Sequence, residues 1–312
     1  MDISVVIPTY NRAKSIGAAV ESVLSQLGQS DELILVDDGS QDDTAAVAAA
    51  RWGGDSRVRF IRQENAGVGV ARNTGIAAAR GGYIALLDSD DLWMPWTLEL
   101  MRGAIEAHSR PAVVAGSQFV FRSEQELEGG RARRGSTRQE HFPTTRDLFA
   151  RVVSLPVTGA IFRADVLKGS GGFVTERVNA EDSDLLLRIS SSPGCVYIFE
   201  PPLYAVGRVG EQARTGLSMD PDKIHRGMRM MLQRERAGMY GGAEGRSLRR
   251  AYIAACIRSA TVALADLGAA GRGWDLYRRT LGMNAGLGRW RFIVAAPLLL
   301  TRSMVRGRRA AG

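Results

Sequence analysis

Four short strings in this chain gather side chains able to hold a cation, a phosphate or a nucleotide. Asp88-Ser89-Asp90-Asp91 closes the apolar run Ile84-Ala85-Leu86-Leu87. Carboxylates packed this closely repel one another unless a cation shares them, so three at one strand end form an oxygen-rich site suited to magnesium or manganese. The same string also reads as a solvated acidic turn ahead of a helix beginning near Trp93. Asp37-Asp38-Gly39-Ser40 follows Leu33-Ile34-Leu35-Val36. A carboxylate there can accept hydrogen bonds from a base imide or a ribose hydroxyl, with Gly39 permitting the tight turn; alone, the string is equally an Asx-turn at a helix start. Glu181-Asp182 opens a segment that continues Leu185-Leu186-Leu187. Acids at that end favour the helix dipole, and one of them can also serve as a carboxylate near an acceptor.

The fourth string, Gly67-Val68-Gly69-Val70-Ala71-Arg72, has the first two glycines of a dinucleotide fingerprint, but Arg72 stands where the third belongs. Arg62 and Gln63 also separate it from the preceding strand, so the dinucleotide reading fails. A loop leading into a helix fits better, with Arg72 near the rim where it can hold a phosphate.

The elements that must position these strings alternate β-rich runs with helix-period segments, the pattern of a mostly parallel sheet wrapped by helices. Residues 3–7, 33–36, 58–61 and 83–87 read as strands. Ile16, Val20, Val23, Leu24 and Leu27 fall on one helical stripe; residues 44–51 and 69–79 read as two further helices. Thr9-Tyr10-Asn11 follows the first strand, the Asp37 string the second and the Asp88 string the fourth. Ligands of open α/β sheets bind outside the carboxyl ends of the strands, so the three clusters are expected on one rim. Residues 122–146 are charged and Gly-rich and read as a mobile surface loop over the site or as disorder. Residues 157–162 and 196–199 read as later strands with a helix over 182–189 between them. From about residue 222 the pattern turns helical, over 223–236, 246–268, 272–281 and 289–306, giving two regions, 1–222 and 223–312.

Charge follows the same division. The 312-residue chain carries a formal +8, yet residues 224–312 hold seventeen arginines, no lysine and four acids, a net of +13 that leaves residues 1–223 at −5. An acidic motif-bearing region argues against nucleic acid as partner, and the basic tail invites a peripheral contact with an anionic membrane surface. Its apolar stretch, 292–300, falls short of the ~20 residues a spanning helix needs. The alternative is a helix packed on the domain with a solvated arginine face. The start of the chain lacks a signal-peptide pattern, and Cys195 and Cys256 have no CxxC or histidine partner, so a cytoplasmic protein with reduced thiols is expected.

Taken in order, Val5-Val6-Ile7-Pro8-Thr9-Tyr10-Asn11-Arg12, Asp37-Asp38-Gly39-Ser40, Ala71-Arg72-Asn73-Thr74-Gly75, Asp88-Ser89-Asp90-Asp91 and Glu181-Asp182 closely resemble family 2 glycosyltransferases of the GT-A fold, over roughly residues 1–210. The resemblance implies an α/β fold of GT-A type, a mostly parallel sheet flanked by helices and followed by a helical C-terminal region. It implies transfer of a sugar from a nucleotide-sugar donor, with UDP the expected nucleotide, to an acceptor hydroxyl or amine in polysaccharide or glycoconjugate synthesis. Pro8, Thr9, Tyr10 and Asp38 are then the base-contacting segment, Asp88 and its neighbour Ser89 lie near the ribose, and Asp90 with Asp88 holds divalent manganese or magnesium. Asp182, paired with Glu181, is the general base of an inverting displacement. One departure stands out: family members often carry a histidine after the strand that follows the Glu-Asp helix, whereas Tyr204-Ala205-Val206-Gly207-Arg208-Val209-Gly210 has none. Arg208 is the candidate to hold the diphosphate instead.

The donor sugar and the acceptor, whether saccharide, lipid-linked or small-molecule, are not legible. Two alternatives share these features. A nucleotidyltransferase would carry a Gly-rich basic loop at the first strand, where Pro8-Thr9-Tyr10-Asn11 stands; a protein of the same fold reduced to binding would have lost the acidic clusters.

Overall fold

The computed structural model describes residues 2–151, 156–207 and 220–310, with side chains to residue 305. In chain order the elements are β1 (Ile3–Thr9), α1 (Ile16–Leu24), β2 (Glu32–Asp37), α2 (Thr44–Trp52), β3 (Val58–Arg62), α3 (Val68–Ala78), β4 (Tyr83–Leu86), β5 (Asp91–Trp93), α4 (Thr97–Ala107), β6 (Val113–Gly116), β7 (Gln118–Phe121), α5 (Glu124–Arg131), β8 (Arg138–Thr144), α6 (Thr145–Leu148), β9 (Ala160–Arg163), α7 (Ala164–Gly169), α8 (Glu181–Arg188), β10 (Pro193–Glu200), β11 (Tyr204–Gly207), α9 (Pro221–Arg236), α10 (Arg246–Asp266), α11 (Ala270–Gly286) and α12 (Trp290–Ala310). They form two compact units, one of residues 1–148, 155–177 and 189–215, the other of residues 149–154, 178–188 and 216–312.

The first unit is built on an eight-stranded sheet of order β3-β2-β1-β4-β9-β6-β10-β8. β3, β2, β1 and β4 run parallel, whereas β9 enters antiparallel between β4 and β6. β1 is buried along its whole length, as an inner strand covered on both faces must be, which explains its nearly unbroken apolar run. Ile16, Val20, Val23 and Leu24 of α1 face the core as their helical spacing predicts. A smaller sheet, β5-β11-β7, completes the unit.

Three local expectations are corrected. No helix starts near Trp93: Asp91–Trp93 pairs with β11, and α4 begins only at Thr97, because Pro95 disfavours helix at the residue before it. The Val157 end of the expected strand is a 3-10 turn, Val157–Gly159, and β9 starts at Ala160. Residues 122–146 are not a loop. Ser123 caps α5 by accepting the Glu126 N–H at 3.1 Å, with Glu126 reaching back to the Arg122 N–H at 2.6 Å. The S-x-x-E spacing of a capping box was present in the sequence. Arg138–Thr144 then forms the sheet edge, antiparallel to β10, with Phe142 buried.

In the second unit α9 to α12 form the helical part, at ranges close to those the periodicity predicts. No helix among the described residues is long and apolar enough to cross a membrane.

Candidate active site

Parallel pairing brings the three predicted strand ends to one rim. Thr9 is in register with Asp37, and Val6 with Leu86, so the chain beyond each strand emerges on the same edge. Loop contacts then stitch the rim together. The Asp38 N–H donates to Thr9 O at 2.9 Å, Asn11 N to Ser40 Oγ at 2.9 Å, and Arg12 N to Thr44 Oγ1 at 2.8 Å. Asp42 accepts from Ala13 N at 3.0 Å. Its burial pushes the carboxyl up, but hydrogen bonds from Thr44 and Ala13 outweigh this and hold it below the ordinary range.

Within the Pro8-Thr9-Tyr10 segment, Pro8 lies inside β1, Thr9 is buried and Tyr10 is exposed. Thr9 Oγ1 has no hydrogen-bond partner among the described residues. A buried hydroxyl of this kind is uncommon in folded proteins and marks a position that a ligand or water can satisfy. Asp38 is turned toward the loop ahead of α3: its carboxylate accepts from Gln63 Nε2 at 2.7 Å, Ala66 N at 2.9 Å and Gly67 N at 2.8 Å. A carboxylate has about four acceptor positions, so one remains for a ligand. Gly39 turns the chain at φ 76°, and a Cβ there would stand 2.8 Å from Asn65 N. Only glycine fits that turn without strain.

Asp88, Asp90 and Asp91 place carboxylate oxygens within 4.8 Å of one another. Arg72 Nη2 donates to Asp88 Oδ1 at 2.7 Å, and Arg12 Nη2 to Asp90 Oδ2 at 3.3 Å. Arg72 is almost fully buried, its guanidinium 4.9 Å from the Phe173 ring, so it holds Asp88 rather than standing open at the rim. Ser89 is buried beside it. The Asp88 N–H donates to Thr158 Oγ1 at 2.9 Å. Thr158 reaches the rim because β9 runs against β4, an insertion that strand periodicity does not reveal; nor does local pattern mark Arg12, at the end of the run from Val5, as a partner of Asp90. As a donor set, three hard carboxylate oxygens in one cluster suit magnesium or manganese, and nothing in the set favours a softer metal.

Glu181 and Asp182 begin α8, in the second unit. Ala180, just ahead of them, has φ 141°, and its N–H donates to Glu181 Oε2 at 3.1 Å. The helix is gripped by a buried charge cluster that the sequence reading missed. Asp184 accepts from Arg188 Nε at 2.9 Å, from Arg234 Nη1 at 2.7 Å on both oxygens, and from Tyr240 Oη at 2.6 Å. Burial first, then the Asp184 charge, raises the Tyr240 phenol far above its ordinary value, so it remains a donor. Tyr252 Oη donates to Ser183 Oγ at 3.1 Å, and its ring stacks on Phe149 at 4.3 Å. The Asn179 N–H donates to Lys223 O of α9 at 3.2 Å; a Cβ on Gly227 would meet Asn179 O at 1.8 Å, so α9 passes directly against the backbone leading into α8. Arg208 lies outside the described residues.

The sequence profile of glycosyl transferase family 2 matches residues 4–170, just over half of the chain. Chondroitin synthase of Escherichia coli is 45% identical over 98 residues, which is 31% of this chain and 14% of that protein. The chain spans under two-fifths of the length of the curated relatives it matches. S. aureus TarS residues 1–349, solved with UDP-GlcNAc, superposes with a TM-score of 0.59 at 19% identity, covering 92% of each chain. A mannosyltransferase from Pyrobaculum calidifontis, solved with GDP-Man and Mn2+, gives 0.52 at 19% identity over 98% of this chain and 86% of that one. At these identities the structures establish the fold, which is of GT-A type. With the profile covering β1 through β9, where the carboxylate-bearing strand ends lie, this chain belongs to glycosyl transferase family 2.

Proposed function

We propose that the protein transfers a sugar, with inversion, from a nucleotide-sugar donor, UDP-linked in the first instance, to an acceptor hydroxyl or amine in polysaccharide or glycoconjugate synthesis. The observation that carries this reading is the single rim on which the Thr9-Tyr10 segment, the Asp38 turn and the Asp88-Asp90-Asp91 carboxylates meet. UDP-GlcNAc and GDP-Man in the two structures of the same fold, and the polysaccharide named for the relative, support it.

In this reading Tyr10 offers its exposed ring to the base, Thr9 its unused hydroxyl and Asp38 its remaining acceptor position. Asp88 and Asp90 would hold magnesium or manganese, Ser89 lies beside them, and the cation when bound supplies positive charge to the departing diphosphate. Arg72 and Arg12 keep the two carboxylates oriented. Arg208 remains the candidate for the diphosphate on the resemblance alone. Asp182, with Glu181 beside it, takes the acceptor proton as the acceptor oxygen or nitrogen bonds to the anomeric carbon and the bond from that carbon to the diphosphate breaks. Attack from the face opposite the leaving group inverts the centre. We further propose that the reaction runs on the cytoplasmic side.

The test is a panel of nucleotide sugars with manganese, followed for nucleotide release with and without saccharide and lipid-linked acceptors. At least one donor should be turned over in a chelator-sensitive way, and Asp90→Asn should abolish that turnover. Release unaffected by chelator, or retained in Asp90→Asn, sinks the metal assignment; no release from any donor sinks the reading.

A further inference from the structure

α12 is apolar on two opposite sides. At 100° per residue Ala296 and Leu300 share one side, and both are buried in a cluster with Ala265, Ala270 and Tyr277 of the neighbouring helices. Trp290, Val294, Leu298 and Val305 fall together on the other side, and they are 62%, 67%, 61% and 48% exposed. A helix simply docked on its own unit would turn charge outward there. Instead a tryptophan and three aliphatic side chains predominate on the outward face, with Thr301 among them, bordered by the exposed Arg291 and Arg302.

From this face we infer that α12 seats the protein on an anionic lipid surface, lying in the plane of the membrane interface. Three observations select that occupant. Residues 224–312 carry a net +13 from seventeen arginines and four acids, which complements acidic headgroups. The same charge repels a second copy brought face to face. Trp290 and the flanking arginines are the residue types that partition to a headgroup boundary, and no helix among the described residues is suited to spanning. The proposal extends beyond the transfer chemistry and draws nothing from it.

Co-sedimentation of the full chain with phosphatidylcholine vesicles, with and without phosphatidylglycerol, tests it. Binding should require phosphatidylglycerol, weaken with salt, and fall at least tenfold in the Val294→Glu/Leu298→Glu double variant, while nucleotide release stays unchanged. A second readout is independent of that variant's folding: vesicles should shift the tryptophan emission to the blue, and Trp290→Phe should remove most of the shift. Absence of wild-type binding, binding undiminished in the double variant, or an emission shift that survives Trp290→Phe overturns the inference. So does a dimer, seen by light scattering, that the double substitution dissociates. Because nucleotide release is followed separately, failure of lipid binding and failure of the transfer reading are distinguishable.

Discussion

The rim at the ends of β1, β2 and β4 and the start of helix α8 both present carboxylates, but they are held by opposite means. At the rim, backbone register does the positioning: neighbouring strands set Thr9 beside Asp37, and short loops finish the work through hydrogen bonds such as Asp38 N to Thr9 O at 2.9 Å. The α8 segment is held through side chains and helix packing. It is fixed by the buried carboxylate of Asp184, gripped by Arg188, Arg234 and Tyr240, and by α9 pressing on Asn179. On the roles proposed for them, donor binding and proton transfer would rest on separate supports, so substitutions should damage one and spare the other.

Asp184→Ala should have the largest effect. Removing this fully buried carboxylate leaves the partly buried guanidiniums of Arg188 and Arg234 without their partner, a cost of about 3 kcal/mol, and a fall of roughly 10 °C in Tm is expected by thermal denaturation. Transfer should be lost while nucleotide affinity, followed by calorimetry, stays close to wild type. Parallel loss of both would dissolve the contrast. Gly227→Ala drives a methyl group into Asn179 O and should shift the entry to α8; a displacement on the order of 1 Å is expected to lower transfer roughly tenfold to a hundredfold, again with nucleotide affinity retained.

Thr9→Val probes the other region. It removes a hydroxyl that has no protein partner, so stability should hold or rise slightly, whereas nucleotide binding should weaken about threefold to tenfold, the worth of one hydrogen bond. Unchanged affinity removes Thr9 from the donor site. The smallest effect belongs to Asp42→Asn. Because hydrogen bonds hold this carboxyl below its ordinary range in the folded state, its stabilisation is present at neutral pH and is lost as pH falls through that lowered value. The group is largely solvent-screened, so only a few tenths of a kcal/mol are expected. Melting temperature followed from neutrality into acid should fall less steeply in the variant.

The same contrast governs what the sequence could reveal. Strand runs such as Ile34-Leu35-Val36 and the helical stripe from Ile16 to Leu24 are local patterns, and a parallel sheet turns them into one rim without further information. The antiparallel insertion of β9 depends on long-range pairing, so Thr158 beside Asp88 was invisible. Arg234 and Tyr240 lie 50 and 56 residues from Asp184, and no periodicity links a buried acid to partners that distant. Residues 122–146 were misread for a different reason: their charged, Gly-rich composition outweighed the cap written at Ser123 and Glu126.

Proton transfer in the proposed reaction turns on Asp182. Nucleotide binding and acceptor-dependent nucleotide release should be measured side by side for Asp182→Asn with manganese and a competent donor. Wild-type nucleotide affinity with transfer reduced by about 10² or more is the result predicted for a lost general base. Near wild-type transfer in that variant would contradict the assignment.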